Sequence, residues 1–78
     1  MYDLTKTQIQ DIDYFESNLK SFLKDKNLRF KQVIISNGEI VGVFDGLDTA
    51  TAFAVENLKK GKYIIQQVVD ENDMVNFV

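Results

Sequence analysis

Lys31-Gln32-Val33-Ile34-Ile35-Ser36-Asn37-Gly38-Glu39-Ile40-Val41-Gly42-Val43-Phe44 decides how this chain folds. The first six residues are rich in β-branched side chains and lack helix caps, which favours a strand. Asn37-Gly38 follows, the dipeptide suited to a type I′ turn because both central residues accept positive φ. The residues from Glu39 to Phe44 then return as a partner strand. A two-residue loop forces the two strands antiparallel, so a hairpin is expected over about residues 31–45.

Upstream of the hairpin, the spacing predicts a helix over about residues 7–26. Thr7 with Gln10 has the form of a capping box. Asp11 and Asp13 lie in the opening turns and Lys20, Lys24 and Lys26 toward the end, matching the helix dipole. Ile9, Ile12, Phe15, Leu19, Phe22 and Leu23 recur at three- and four-residue spacing and define one apolar face. Asn27 is a helix stop.

Downstream, Asp45-Gly46 ends the hairpin and a second helix is expected over about residues 47–60. Asp45 or Gly46 serves as N-cap, Asp48 sits in the first turn, and Lys59-Lys60-Gly61 supplies a basic last turn with a glycine stop. Leu47, Ala50, Ala54 and Leu58 form its buried stripe. A third strand is expected over about residues 62–69, followed by an acidic turn, Asp70-Glu71-Asn72-Asp73. Residues 74–78 then form a short edge strand or a packed tail.

The order α-β-β-α-β is that of a single small α+β domain with a three-stranded, mainly antiparallel sheet and two helices. Val33-Ile34-Ile35 is apolar on both faces and suits a central position, which favours strand order 2-1-3; order 1-2-3 is the alternative. All three strands carry apolar side chains on both sides. Val33 and Ile35 oppose Phe30 and Ile34, Ile40 and Phe44 oppose Val41 and Val43, and Tyr63 and Ile65 oppose Ile64 and Val68. Such a sheet needs two covers. The second helix provides one; the first helix provides the other, or leaves that face to a partner. Phe53 lies about 120° from the centre of the second helix's stripe and points sideways or outward. Either a tail residue such as Met74 or Phe77 folds over it, or it is a protein–protein contact.

The composition removes whole classes of chemistry. Among 78 residues there is no His, Cys, Trp or Pro, so disulfides, thiolate or imidazole metal ligands and Ser-His or Cys-His nucleophiles are excluded. The formal charge of -3 argues against a protein that tracks phosphates. No run approaches a membrane span, and the first residues lack the order of a signal peptide, so a cytoplasmic protein is expected. Asp48-Thr49-Ala50 has Ala where the loop of aspartic proteases has Gly. Asp45 and Asp48 read as complements of a helix dipole, and Asp70-Glu71-Asn72-Asp73 lacks the spacing of an EF-hand. No glycine-rich loop fits a phosphate cradle. No catalytic, metal or cofactor-binding residue is expected.

From Phe30 onward the chain resembles a diffuse family of short, uncharacterised prokaryotic proteins, domains of unknown function. The resemblance rests on Val33-Ile34-Ile35-Ser36-Asn37-Gly38-Glu39-Ile40-Val41-Gly42, on Phe44-Asp45-Gly46-Leu47-Asp48-Thr49-Ala50, and on Gly61-Lys62-Tyr63-Ile64-Ile65-Gln66-Gln67-Val68. It covers about residues 30–69 and departs at Gly46, where a Ser or Thr cap is usual, and at Thr49, usually Glu. It implies the hairpin–helix–strand core and no activity. A non-enzymatic protein–protein interaction module is expected, as a homodimer or docked on a larger partner, with Phe53 as a contact. The alternative is a binder of a small anionic ligand or nucleic acid. That binder would use a basic edge of Lys59, Lys60 and Lys62 together with Lys20, Lys24, Lys26, Arg29 and Lys31, with Tyr63 and Phe30 as interleaved aromatics.

Overall fold

A computed structural model describes residues 4–70. It contains α1 (Lys6–Lys24), β1 (Gln32–Ser36), β2 (Glu39–Phe44), α2 (Leu47–Asn57) and β3 (Ile64–Gln67). The sheet order is β2-β1-β3, and β1 pairs antiparallel with both neighbours. The α+β class, the element order and the central place of the first strand all follow the expectation from sequence. Asn37 (φ 54°) and Gly38 (φ 75°) both occupy the left-handed region, as a type I′ turn requires.

Two cores lie on opposite sides of this sheet. Val33, Ile35, Ile64 and Val68 meet Phe15 and Phe22 of α1. Ile34 meets Ala50 and Ala54 of α2, with Phe44, Phe53, Leu58, Tyr63 and Ile65 around them. The first helix therefore covers its own sheet, and the protein is a three-layer α/β/α sandwich. The alanines bring the axis of α2 close to β1, as their small side chains allow.

Several details differ from the sequence expectation, each for a local reason. The capping box of α1 is Thr5 with Gln8, not Thr7 with Gln10. Two Thr-x-x-Gln patterns overlap here, and tertiary bonds select the first: Thr5 Oγ donates to the Gly61 carbonyl at 2.6 Å and Gln8 Nε2 to the Tyr63 carbonyl at 3.3 Å. Ile9 is exposed, and Asp11 takes its place in the buried face. Leu47, expected in the buried stripe of α2, is exposed as well. α2 ends at Asn57 because Leu58 turns extended and packs into the core, so Lys59 and Lys60 lie in the following loop. β3 is shorter than residues 62–69, although Phe30 and Lys31 continue the pairing through Val68. Most of the acidic turn and all of residues 74–78 lie outside the described residues.

The face assignment of β2 also changes. The register shifts between Ile34, opposite Gly42, and Ile35, opposite Ile40, so Val41 is an extra residue on β2. This bulge breaks the simple alternation. Ile40 packs on the α1 side, whereas Val41 and Phe44 pack on the α2 side. Gly42 makes room for this arrangement, because a Cβ there would lie 2.7 Å from Cε1 of Phe44. Gly42→Ala is expected to destabilise the fold by about 1–3 kcal/mol through overpacking. In a Phe44→Ala background the same change should cost nothing, since the obstructing ring is gone. Urea denaturation of the four variants of this cycle reads the coupling; equal costs in both backgrounds would remove the ring contact as the reason for Gly42.

Candidate functional site

Phe53 is half-buried, with its ring centroid 5.2 Å from that of Phe44. The sideways direction read from the helix wheel is right, but the ring is met by β2, because the bulge sends Phe44 to this side. Tyr63 is also half-buried, in the α2-side core, and its carbonyl accepts the Gln8 side chain. Lys59, Lys60 and Lys62 are exposed in the loop before β3.

The basic residues do not form one edge. Thr5, at the start of α1, bonds to Gly61, so the Lys59–Lys62 loop sits beside the N-terminus of α1. Lys24, Lys26, Arg29 and Lys31 lie at or beyond the other end of the same helix. Lys24 closes α1, whose nineteen residues place it about 28 Å from the Thr5 end of the helix. Within the second group, Lys31 is ion-paired with Asp45. The Arg29 guanidinium lies over the Phe30 ring, 5.1 Å from its centroid.

Asp45 and Asp48 have different partners. Asp45 faces Lys31, while Asp48 stands in the first turn of α2 and accepts from the Thr49 N–H at 2.9 Å. Lys31, Phe44, Asp45, Gly46, Asp48 and Thr49 line a wide, open depression here, where the Lys31–Asp45 pair leaves the Asp48 carboxylate as the net charge.

The backbone turn at Phe30 and the burial of Asp11 escaped sequence reasoning. Phe30 has φ 67° and is 50% exposed. Its N–H donates to the Val68 carbonyl and its carbonyl accepts from Gln67 Nε2, so both backbone groups hold the conformation. Only the break in apolar periodicity before β1 hinted at this turn. Asp11 is fully buried in α1, where Oδ1 accepts the Gly38 N–H at 2.8 Å and Oδ2 has no hydrogen-bond partner. Its place in an otherwise apolar face was the available signal. This carboxylate clasps the hairpin turn to α1; among the described residues no group of three or more acidic side chains is placed to hold a metal ion.

No protein-family model, curated protein or solved structure matches this chain. Among the described residues, no helix is long and apolar enough to cross a membrane. Among the described residues, Leu47 and Val55 of α2, Val43 of β2, Ile9 of α1, nearby Leu4, and Phe30 are the large exposed apolar side chains.

The clasp makes a measurable prediction. Asp11→Ala should cost about 1–3 kcal/mol, because it leaves the Gly38 N–H unmet and opens a void. Asp11→Asn keeps an acceptor at Oδ1 and should cost less. Thermal unfolding of both variants reads the difference, and an Asn variant as weak as the Ala variant would show that the negative charge is what matters.

Proposed function

We propose that this protein is an interaction module that self-associates through the outer side of α2. One observation carries this reading: Leu47 is 57% exposed and Val55 is 68% exposed on a helix that contains no lysine or arginine. Surface helices ordinarily carry charged side chains on their outer face, and here the exposed charges, Asp48 and Glu56, stand next to residues 47 and 55 rather than between them. Residues 47, 51 and 55 recur at four-residue spacing and form a stripe along the helix. Exposed Ala52 lies next to the stripe, and the small side chains at 51 and 52 allow a second helix to approach closely.

The stripe is also self-complementary. Thr51 lies midway between Leu47 and Val55, so a two-fold axis beside Thr51 sets Leu47 of one copy against Val55 of the other, twice. An antiparallel pair of helices results, with their dipoles opposed. Both faces of the sheet are already occupied by the chain's own helices, which leaves a helix surface as the larger apolar contact. Phe53, held against Phe44, supports the contact from behind rather than forming it.

A second reading rests on Phe30. Its exposed ring in a left-handed backbone conformation, with the Arg29 guanidinium over it, suits stacking on an anionic ligand. The two readings respond oppositely to salt. An apolar helix contact holds or strengthens as salt rises, whereas binding through lysines weakens steeply.

Sedimentation or light scattering as concentration is raised tests the first reading. A dimer is expected that persists at high salt, and Val55→Arg should weaken it by about tenfold or more with an unchanged circular dichroism spectrum. A monomer at all concentrations, or a dimer indifferent to Val55→Arg and Leu47→Asp, would overturn it.

A further inference from the structure

The hairpin turn carries a reactive pair of residues that self-association through α2 does not use. Of the six asparagines in the chain, Asn37 alone is followed by glycine. A side chain on the following residue hinders attack of its backbone nitrogen on the asparagine amide, and Gly38 has none. Asn37 and Gly38 are both exposed, and a Cβ at Gly38 would meet no atom within 4 Å. Crowding therefore does not shield this pair.

Backbone geometry restrains it instead. Asn37 at φ 54° and Gly38 at φ 75° are set by the two-residue turn, and the Gly38 N–H donates to Asp11 Oδ1 at 2.8 Å. A type I′ hairpin supplies no partner of its own for this N–H, so the bond to α1 is what fixes it. The acceptor is a fully buried carboxylate 27 residues away in sequence. It engages the proton that the nitrogen must lose before it can attack, and its negative charge opposes an amide anion beside it.

We propose that Asn37-Gly38 is a deamidation site held in check by the Asp11 clasp, so that modification marks the molecules whose α1 has opened from the turn. The step balances with water and its hydroxide as the only co-reactants. Once α1 opens, hydroxide takes the proton of the Gly38 nitrogen, and that nitrogen attacks Cγ of Asn37. The N–Cγ bond forms and the Cγ–Nδ2 bond breaks. The leaving nitrogen takes a proton from water, departs as ammonia and regenerates hydroxide. Water then opens the cyclic imide. Addition at Cγ gives aspartate at position 37, and addition at the backbone carbonyl carbon gives isoaspartate.

Both products act back on the clasp. Isoaspartate routes the backbone through Cβ and Cγ, which lengthens a loop whose geometry sets the hairpin register. Aspartate adds a carboxylate to the residue preceding the N–H that Asp11 binds, a like-charge approach. Each product weakens the hold of α1 on the turn, and neither returns to asparagine. Nothing in this step requires self-association through α2.

Incubation of the full chain in mildly alkaline buffer, followed by peptide mapping with mass spectrometry, reads the conversion. The folded protein should deamidate at Asn37 more slowly than the chain unfolded in urea, by about tenfold or more. Asp11→Ala should restore most of that rate under folding conditions, and Asp11→Asn, which keeps an acceptor, should fall between. Phe44→Ala weakens the α2-side core without touching the clasp and should leave the rate near that of the unaltered protein. Equal rates in the folded and unfolded chain, or an Asp11→Ala rate no higher than that of the unaltered protein, would overturn the proposal. So would equal acceleration by Phe44→Ala and Asp11→Ala at matched stability, since global unfolding would then set the rate.

Discussion

The central strand leaves water no access from either side, and the rest of the architecture answers to that. Val33, Ile34 and Ile35 have 0% exposure. Burying three such side chains contributes roughly 5–9 kcal/mol, comparable to the whole stability of a small domain. Because neighbours along a strand face opposite ways, this gain is realised only if both faces of the sheet are covered. α1 must pack on the face of Val33 and Ile35, and α2 on the face of Ile34. With both faces sealed, the large exposed apolar side chains of the described residues lie on the helices, on β2 and in the segments just before α1 and β1.

The bulge in β2 settles how the second layer is filled. Without the extra residue, Ile40 and Phe44 would share a face. With it, Ile40 joins the α1 core while Phe44 turns under α2 and meets Phe53. The alanines at 50 and 54 hold the helix close to β1, and the aromatic pair fills the wider gap over β2. The small-residue face and the aromatic pair are thus two halves of one packing solution. The outward side of α2 is left with Leu47 and Val55.

Much of this was legible from local pattern. The apolar run of β1 implied a central strand, Asn37-Gly38 implied the hairpin, and the glycine and small-residue spacing of residues 46–61 implied the second helix. What was not legible depended on partners distant in sequence. Two overlapping capping patterns at the start of α1 are locally equivalent, and only the carbonyls of Gly61 and Tyr63 distinguish them. The bulge leaves no mark on the alternation that a strand reading relies on, apart from Gly42. Asp11 looked like a complement to the helix dipole, because nothing nearby in sequence announces the Gly38 N–H. The two lysine groups, read as one edge, are held apart by the length of α1. For recognition, Phe53 drew notice as an aromatic off the stripe, yet Leu47 and Val55 are the exposed apolar residues, because the bulge supplies Phe53 with a neighbour.

The bonds from Thr5 to Gly61 and from Gln8 to Tyr63 join positions 56 and 55 residues apart. On a ribosome, therefore, α1 is made before the hairpin but finds its partners after it. The hairpin can close as soon as it emerges, since its contacts are local. α1 must wait, with Phe15 and Phe22 unshielded, until β3 and the loop before it have been synthesised. Closure of the α1 side of the sheet thus follows the hairpin and is gated by the strand that completes that side.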